Sequence, residues 1–184
     1  MIDFSISELE PHDDNNVLSA LTEKLGYVPN IYRLLSRVPN VLQALHGLNE
    51  SLEQSSFTSA ETEVIALTTS VYNECPYCVA GHSSFALQSG VDLASVEAIR
   101  SGGYAIQPRL HAVGKMTRHL LEQRGTLDTG ELRLFLNAGF KSSQILEILI
   151  GIAGKTITNF ASKISRVPLD GSFVDQAWSP SQQL

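Results

Sequence analysis

The chain has 184 residues, of which 43% are apolar, and a net charge of −6 from 13 Lys and Arg against 19 Asp and Glu. This composition argues against a disordered chain, and the lack of any Lys/Arg-rich run argues against a nucleic-acid partner. We find no run of about eighteen apolar residues and therefore expect no membrane span. Because the N-terminus lacks a basic start followed by an apolar segment, we expect a cytoplasmic location.

Apolar residues recur at helical spacing along the chain, and the alternating runs typical of strands are scarce. We therefore predict eight or nine helices in an all-α multi-helix bundle. The boundary signals, in chain order, are Gly26 ending the first helix, Pro29 and Pro39 opening two segments, Thr58 with Glu61 as a capping box, Pro76 at a first helical position, Asp92 as an N-cap, a helical pattern over 108–125, Asp128 with Glu131 as a second capping box, and Ser142 capping the last long helix.

These elements predict one domain over residues 1–184. We divide it into an N-terminal helical region (1–57), a core (58–165) and a C-terminal tail (166–184), of which 179–183 is expected to be loose.

The two cysteines of the chain form the segment Cys75-Pro76-Tyr77-Cys78. Two such cysteines make no disulfide framework, and in a reducing compartment the pair is typical of a redox or metal site. With Pro76 as the first helical residue, Cys75 is the N-cap and Cys78 the third residue of the helix. Both sulfurs then lie at the positive end of the helix dipole, which lowers thiol pKa and favours the reactive thiolate.

His82 follows Cys78 by one helical turn and is predicted to lie on the same face, where its imidazole can act as a general base. Glu63 lies on the preceding helix, which a short turn connects to the dithiol helix. We predict that the Glu63 carboxylate orients His82, directly or through water. Glu61 is a rival on spacing alone, but its role in the capping box accounts for it.

Other interpretations of the motif were weighed. A zinc site would need a distant ligand, because no second CxxC or HxxxH follows. Haem attachment requires histidine directly after the second cysteine, where Val79 stands, and a thioredoxin motif requires a βαβ context. Inert buried cysteines remain an alternative. We predict no metal, haem or flavin cofactor.

Several other side chains are structural by default. This set comprises His46, His111, His119, Asn159 (as a helix cap or bridge) and Trp178 (docked on a neighbouring subunit). Glu147 lies in an apolar stripe, and we weigh a solvent-facing position against one near the dithiol.

The segment from Glu63 to Ser83, with its Glu–x11–Cys–x2–Cys–x3–His spacing, resembles the alkylhydroperoxidase D / carboxymuconolactone decarboxylase family. The flanks Leu25–Asn30, Gly139–Phe140, Gln144–Glu147 and Asn159–Phe160 resemble its peroxidase-related branch. The resemblance implies an all-α alkylhydroperoxidase D-like fold, homo-oligomeric assembly and peroxidase activity. It also implies that Cys78 is the peroxidatic cysteine, Cys75 the resolving cysteine, and His82 with Glu63 the proton relay.

One position departs from the family pattern. Tyr77 stands where alkylhydroperoxidase D has a histidine, so one titratable neighbour of the dithiol is replaced. Tyr77 and Glu147 are candidates for a supporting position next to the catalytic residues. The hypothesis is a hydroperoxide-reducing enzyme restored by a thiol or dithiol reductant, such as a lipoyl or thioredoxin-type protein. The alternatives are a redox sensor or disulfide-exchange protein and, disfavoured because true lactone decarboxylases lack the cysteine pair, a decarboxylase.

Overall fold

The computed structural model describes residues 16–180, so the expectations for residues 1–15 and for positions 181–183 lie outside the described residues. Within 16–180 every regular element is helical, which confirms the all-α prediction. The elements are α1 (Asn16–Leu25), α2 (Asn30–Leu35), α3 (Pro39–Glu53), α4 (Ser59–Tyr72), α5 (Pro76–Gln88), α6 (Leu93–Arg100), α7 (Pro108–Glu122), α8 (Thr129–Asn137), α9 (Gln144–Ser165) and a C-terminal 3₁₀ helix (Gly171–Gln176).

Most of the predicted boundary signals operate as expected. Thr58 and Glu61 form a complete capping box at the start of α4, and Gly26 ends α1 with a φ of +79°. The second capping box forms only in part: Asp128 caps α8, but the Glu131 carboxylate pairs with Lys115 at 3.0 Å instead of reaching back.

The prediction for Ser142 is wrong. Helix α9 begins at Gln144 with Ser143 at the N-cap position, where the backbone is already helical and makes no side-chain cap. The free backbone N–H of Lys141 is satisfied by the Gln144 side chain at 2.8 Å.

Helix α4 lies at the centre and packs against α5, α7 and α9. Val64, Ile65 and Leu67 of α4 are fully buried, which removes most of their apolar surface from water and stabilises the fold. A second apolar cluster lies on the other side of α5, between α1–α3 and the C-terminal segment, and both cysteines belong to it. The dithiol therefore lies between the central helices and the N-terminal helices α1–α3.

The C-terminal region is more ordered than the predicted tail. Residues 171–176 form the 3₁₀ helix, and Phe173 is buried against Tyr77 and Phe85 of α5. Trp178 donates from Nε1 to the Arg100 carbonyl at 3.1 Å, so it docks on its own chain rather than on a neighbouring subunit. Sequence periodicity missed this segment because its contacts come from single aromatic anchors, not from a helical stripe.

Helix α9 has the length and mean hydropathy (1.3) of a membrane span, although the sequence led us to expect no such segment. In this fold 44% of that stretch is buried, and the helix packs against α3 and α4. A core helix passes the same length and composition test.

Candidate dithiol site

Cys75 and Cys78 occupy the first turn of α5 in the predicted register. Cys75 is the N-cap, and its sulfur accepts from the Cys78 backbone N–H at 3.3 Å. The Cys75 thiol donates to the Cys78 sulfur, with the two Sγ atoms 2.8 Å apart. The pair is placed so that an S–S bond can close across one helical turn.

The surroundings shift the pKa values of the two thiols in opposite directions. Burial acts to raise the pKa of Cys78, but hydrogen bonds from Cys75, Ser162 and Asn159 and the charge of Lys155 outweigh it and lower that pKa from 9.0 to about 7. For Cys75, the hydrogen bond to Cys78 and then burial raise the pKa well above its usual range. Cys78 is therefore the sulfur that ionises near neutral pH, with Cys75 as its hydrogen-bond donor.

His82 and Glu63 meet as the helix pairing of α4 and α5 predicted. The Glu63 Oε2 atom lies 2.8 Å from His82 Nδ1. Glu61 is engaged elsewhere: besides its capping role, its carboxylate pairs with Arg109 at 2.5 Å. The choice of Glu63 over Glu61 agrees with this geometry.

Lys155 of α9 is a member of the site that the sequence analysis missed. Its side chain is buried, and its Nζ lies 2.9 Å from His82 Nε2. Burial and then the charge of Lys155 lower the pKa of His82, against the opposing effect of Glu63. Both ring nitrogens of His82 are thus occupied, by Glu63 and by Lys155. No hydrogen bond joins His82 to Cys78 among the described residues, so the general-base role of His82 stays a prediction.

Two further polar residues of α9 line the site. Ser162 Oγ lies 3.6 Å from Cys78 Sγ. Asn159 donates to Ser70 at 3.2 Å and accepts from Asn73 at 2.9 Å, which confirms that it bridges helices. Lys155, Asn159 and Ser162 recur at spacings of four and three in α9, which places them on one face of the helix. That polar stripe is the sequence signal that identifies them.

Tyr77 and Glu147, the two candidates for a supporting position, lie outside this hydrogen-bonded group. Tyr77 donates to Asp170 at 2.5 Å and accepts from the Ile31 backbone N–H at 3.3 Å, and burial followed by the Asp170 bond raises its pKa. Glu147 accepts from the Ser56 hydroxyl at 2.6 Å, close to the start of α4, whereas the dithiol follows its end. Glu147 lies eight residues before Lys155, about 12 Å along α9, so its placement near the dithiol is wrong.

The three other histidines within residues 16–180 make local contacts. His111 Nδ1 lies 3.2 Å from the Ala105 carbonyl, and His119 Nε2 lies 3.1 Å from the Thr126 carbonyl. His46 faces Glu50 at 3.6 Å on the same helix. Within residues 16–180, no group of three His, Cys, Asp or Glu side chains is arranged to hold a metal ion.

The fold and the site define an all-helical protein with a buried dithiol supported by a Glu–His–Lys chain. The model of the carboxymuconolactone decarboxylase family matches residues 39–107, which include both cysteines, His82 and Glu63. Together with the fold, this match over residues 39–107 supports the resemblance to the alkylhydroperoxidase D-like / carboxymuconolactone decarboxylase family. No curated protein matches the chain significantly.

Solved structures share this fold. An uncharacterised peroxidase-related protein from Ralstonia eutropha JMP134, with an alkylhydroperoxidase AhpD core, is 20% identical with a TM-score of 0.78, over 92% of this chain and 90% of that one. An uncharacterised peroxidase-related protein from Silicibacter sp. TM1040 is 19% identical with a TM-score of 0.76, over 89% and 87%.

The debrominase Bmp8, as a cysteine-to-alanine variant in complex with 2,3,4-tribromopyrrole, is 16% identical with a TM-score of 0.70, over 93% of this chain and 90% of that one. At such identities these likenesses establish the fold alone.

Proposed function

We propose that this protein is a thiol-dependent peroxidase that reduces hydroperoxides through Cys75 and Cys78. The observation that carries the proposal is the paired sulfurs, 2.8 Å apart, with a Cys78 pKa lowered to about 7. At neutral pH a large fraction of Cys78 is then thiolate, the form that attacks peroxides.

The proposed reaction has two steps. The Cys78 thiolate attacks one peroxide oxygen, the O–O bond breaks, and the departing alkoxide takes a proton to give the alcohol and a Cys78 sulfenic acid. The Cys75 thiol then displaces water from the sulfenic acid and forms the disulfide. An external dithiol reduces this disulfide, so two electrons pass from reductant to peroxide in each cycle.

The surroundings of the dithiol favour particular reactants. Apolar side chains such as Leu42, Leu45 and Ala80 share its cluster, which suits an organic hydroperoxide. Cys75 is 0% and Cys78 5% exposed, so a slim lipoyl-type dithiol arm reaches them more readily than a thioredoxin-type protein surface. The same burial argues against a disulfide-exchange partner or sensor. We propose a cytoplasmic location and a homo-oligomeric state for this enzyme.

The test is stopped-flow consumption of cumene hydroperoxide, with dithiothreitol, dihydrolipoamide or a thioredoxin system as reductant. We expect Cys78→Ser to lose turnover by at least about 10³-fold, because the nucleophile is removed. Cys75→Ser is the matched control: without reductant it should consume one equivalent of peroxide and stop at the sulfenic acid. Turnover by Cys78→Ser at the parent rate would disprove the proposal.

The likeness to a debrominase supports a second candidate, reductive debromination by the same dithiol. Replacing a carbon–bromine bond with a carbon–hydrogen bond needs two electrons and releases bromide, and oxidation of Cys75 and Cys78 to the disulfide supplies both electrons. Bromide release from a brominated pyrrole, measured beside the peroxide assay, distinguishes the two. Rapid bromide release without peroxide consumption would favour this candidate.

A further inference from the structure

His82 cannot act as the base for Cys78 while both of its ring nitrogens are engaged. Nδ1 lies 2.8 Å from the Glu63 carboxylate, and Nε2 lies 2.9 Å from the Lys155 Nζ. The hydrogen-bonding contacts of the Cys78 sulfur are Cys75, Ser162 and Asn159. The thiol and the imidazole therefore belong to the same site without sharing a hydrogen bond in this arrangement.

The donors and acceptors of Glu63, His82 and Lys155 determine where the protons of these three side chains lie. An ammonium group only donates, so a charged Lys155 requires the Nε2 atom of His82 to accept. The proton of His82 then lies on Nδ1 and is donated to Glu63. Because the ordinary pKa of an ammonium group is far above that of imidazole, the single positive charge of the pair belongs to Lys155.

A buried ammonium group needs negative charge nearby. Burial is the largest influence on the Lys155 pKa and lowers it, while the charges of Cys78, Glu63 and Cys75 act to raise it. Glu63 reaches Lys155 through His82, and the Cys78 thiolate is the second anion. Coulomb attraction acts across several ångströms in a site shielded from water, so Lys155 can stabilise the thiolate without a hydrogen bond to it.

We propose that Lys155 is a positioning residue of the dithiol site: its ammonium group stabilises the Cys78 thiolate by charge, and Glu63 and His82 hold that ammonium group in place instead of removing the thiol proton. The inference rests on the proposed function only for the choice of Cys78 as the attacking sulfur. It assigns a role to α9, a helix outside the segment that carries the dithiol motif.

Other titratable groups also surround Cys78. Those that interact with it or with its charged neighbours are Cys75, Tyr77 and His82 of α5, Glu63 of α4, Lys155 of α9 and Tyr32 of α2, whose pKa burial raises to about 12. Lys155 is the cation among the groups that act on the pKa of Cys78, and removing it should raise that pKa.

The test measures alkylation of Cys78 by iodoacetamide against pH, with the labelled cysteine located by mass spectrometry. The thiolate forms as pH rises, so the rate of the parent protein should increase with a midpoint near pH 7. Lys155→Met should move the midpoint upward and slow alkylation at pH 7 by about tenfold. Lys155→Arg should restore most of the rate, and Lys141→Met, an exposed lysine just before α9, should match the parent.

His82→Gln separates this proposal from the alternative in which His82 is the base. The proposal expects His82→Gln to slow alkylation less than Lys155→Met does. An equal or larger effect of His82→Gln, or an unchanged midpoint in Lys155→Met, would overturn it.

A measurement on the parent protein covers the case in which a variant does not fold. In ¹⁵N NMR spectra at pH 7, His82 should be neutral with its proton on Nδ1. A proton on Nε2, or a doubly protonated ring, would contradict the proposal. These readouts do not involve peroxide: a shifted midpoint in Lys155→Met, in a protein that consumes no hydroperoxide, supports the role of Lys155 while the peroxidase proposal fails.

Discussion

The contacts that Tyr77 makes in the structure differ from the role predicted for it from the sequence. Its position between the cysteines suggested an influence on the dithiol, because alkylhydroperoxidase D, which the motif resembles, has a histidine there. In the fold its phenol joins the first turn of α5 to Asp170, which also accepts from the Asn30 backbone N–H at 3.1 Å. Tyr77 therefore connects the dithiol turn to α2 and to the C-terminal segment.

We predict that Tyr77→Phe lowers the free energy of unfolding by about 1–3 kcal/mol, because it leaves the buried Asp170 carboxylate without this donor. Tyr27→Phe is the matched control, since its hydroxyl bonds to Ser172 at an exposed position. That variant should change stability by less than about 0.5 kcal/mol. Urea unfolding followed by circular dichroism measures both, and equal effects of the two substitutions would refute the structural role of Tyr77.

At the scale of elements, two glycines of α9 differ in the space available for a Cβ atom. A Cβ atom at Gly151 would lie 2.7 Å from Ile65 Cγ2 of α4, closer than packed atoms allow. At Gly154 the nearest atom would be Asn49 Oδ1 at 3.7 Å, an ordinary contact. Gly151 thus permits the close approach of α9 to α4 that brings Lys155 and Ser162 to the dithiol.

The two glycines offer a matched pair of substitutions. Gly154→Ala should raise the free energy of unfolding by about 0.5–1 kcal/mol, because alanine favours the helix. Gly151→Ala gains the same preference, but crowding costs about 1–3 kcal/mol and should leave the variant less stable than the parent. Thermal unfolding measures the difference, and a stabilised Gly151→Ala would show that the two helices adjust freely.

At the scale of the whole molecule, the exposed face of α9 is a candidate surface for self-association. Leu146, Leu149, Phe160 and Ile164 are each at least 42% exposed, although they belong to a long and largely apolar helix. Apolar side chains grouped on one surface are typical of an interface.

We therefore predict that the chain self-associates through α9. Light scattering should give a mass that is a multiple of 20.0 kDa, and Phe160→Glu with Ile164→Glu should reduce it, because carboxylates resist burial. Leu93→Glu, at a 58% exposed residue of α6, is the control and should leave the mass unchanged. A monomeric parent protein would rule out this assembly.

Local signals in the sequence determined much of this protein. Three of these signals operate within one helical turn: the capping box at Thr58, the proline at the start of α5 and the cysteine register. They can therefore be recognised without knowledge of the fold. The pairing of Glu63 with His82 was also predictable, because a short turn forces α4 and α5 to lie side by side. The dithiol, its orientation and its carboxylate–imidazole pair follow from these short-range rules.

Only the tertiary structure decided what approaches the dithiol from a distance in the chain. Lys155 and Ser162 lie about 80 residues after the cysteines, with His82 and Lys155 separated by 73 positions and Cys78 and Ser162 by 84. No local rule pairs such positions, since they meet through the packing of α9 on α4 and α5. The sequence thus determined a pair of cysteines at the start of α5, while long-range packing decided that Lys155 joins their site and that Tyr77 and Glu147 serve other contacts.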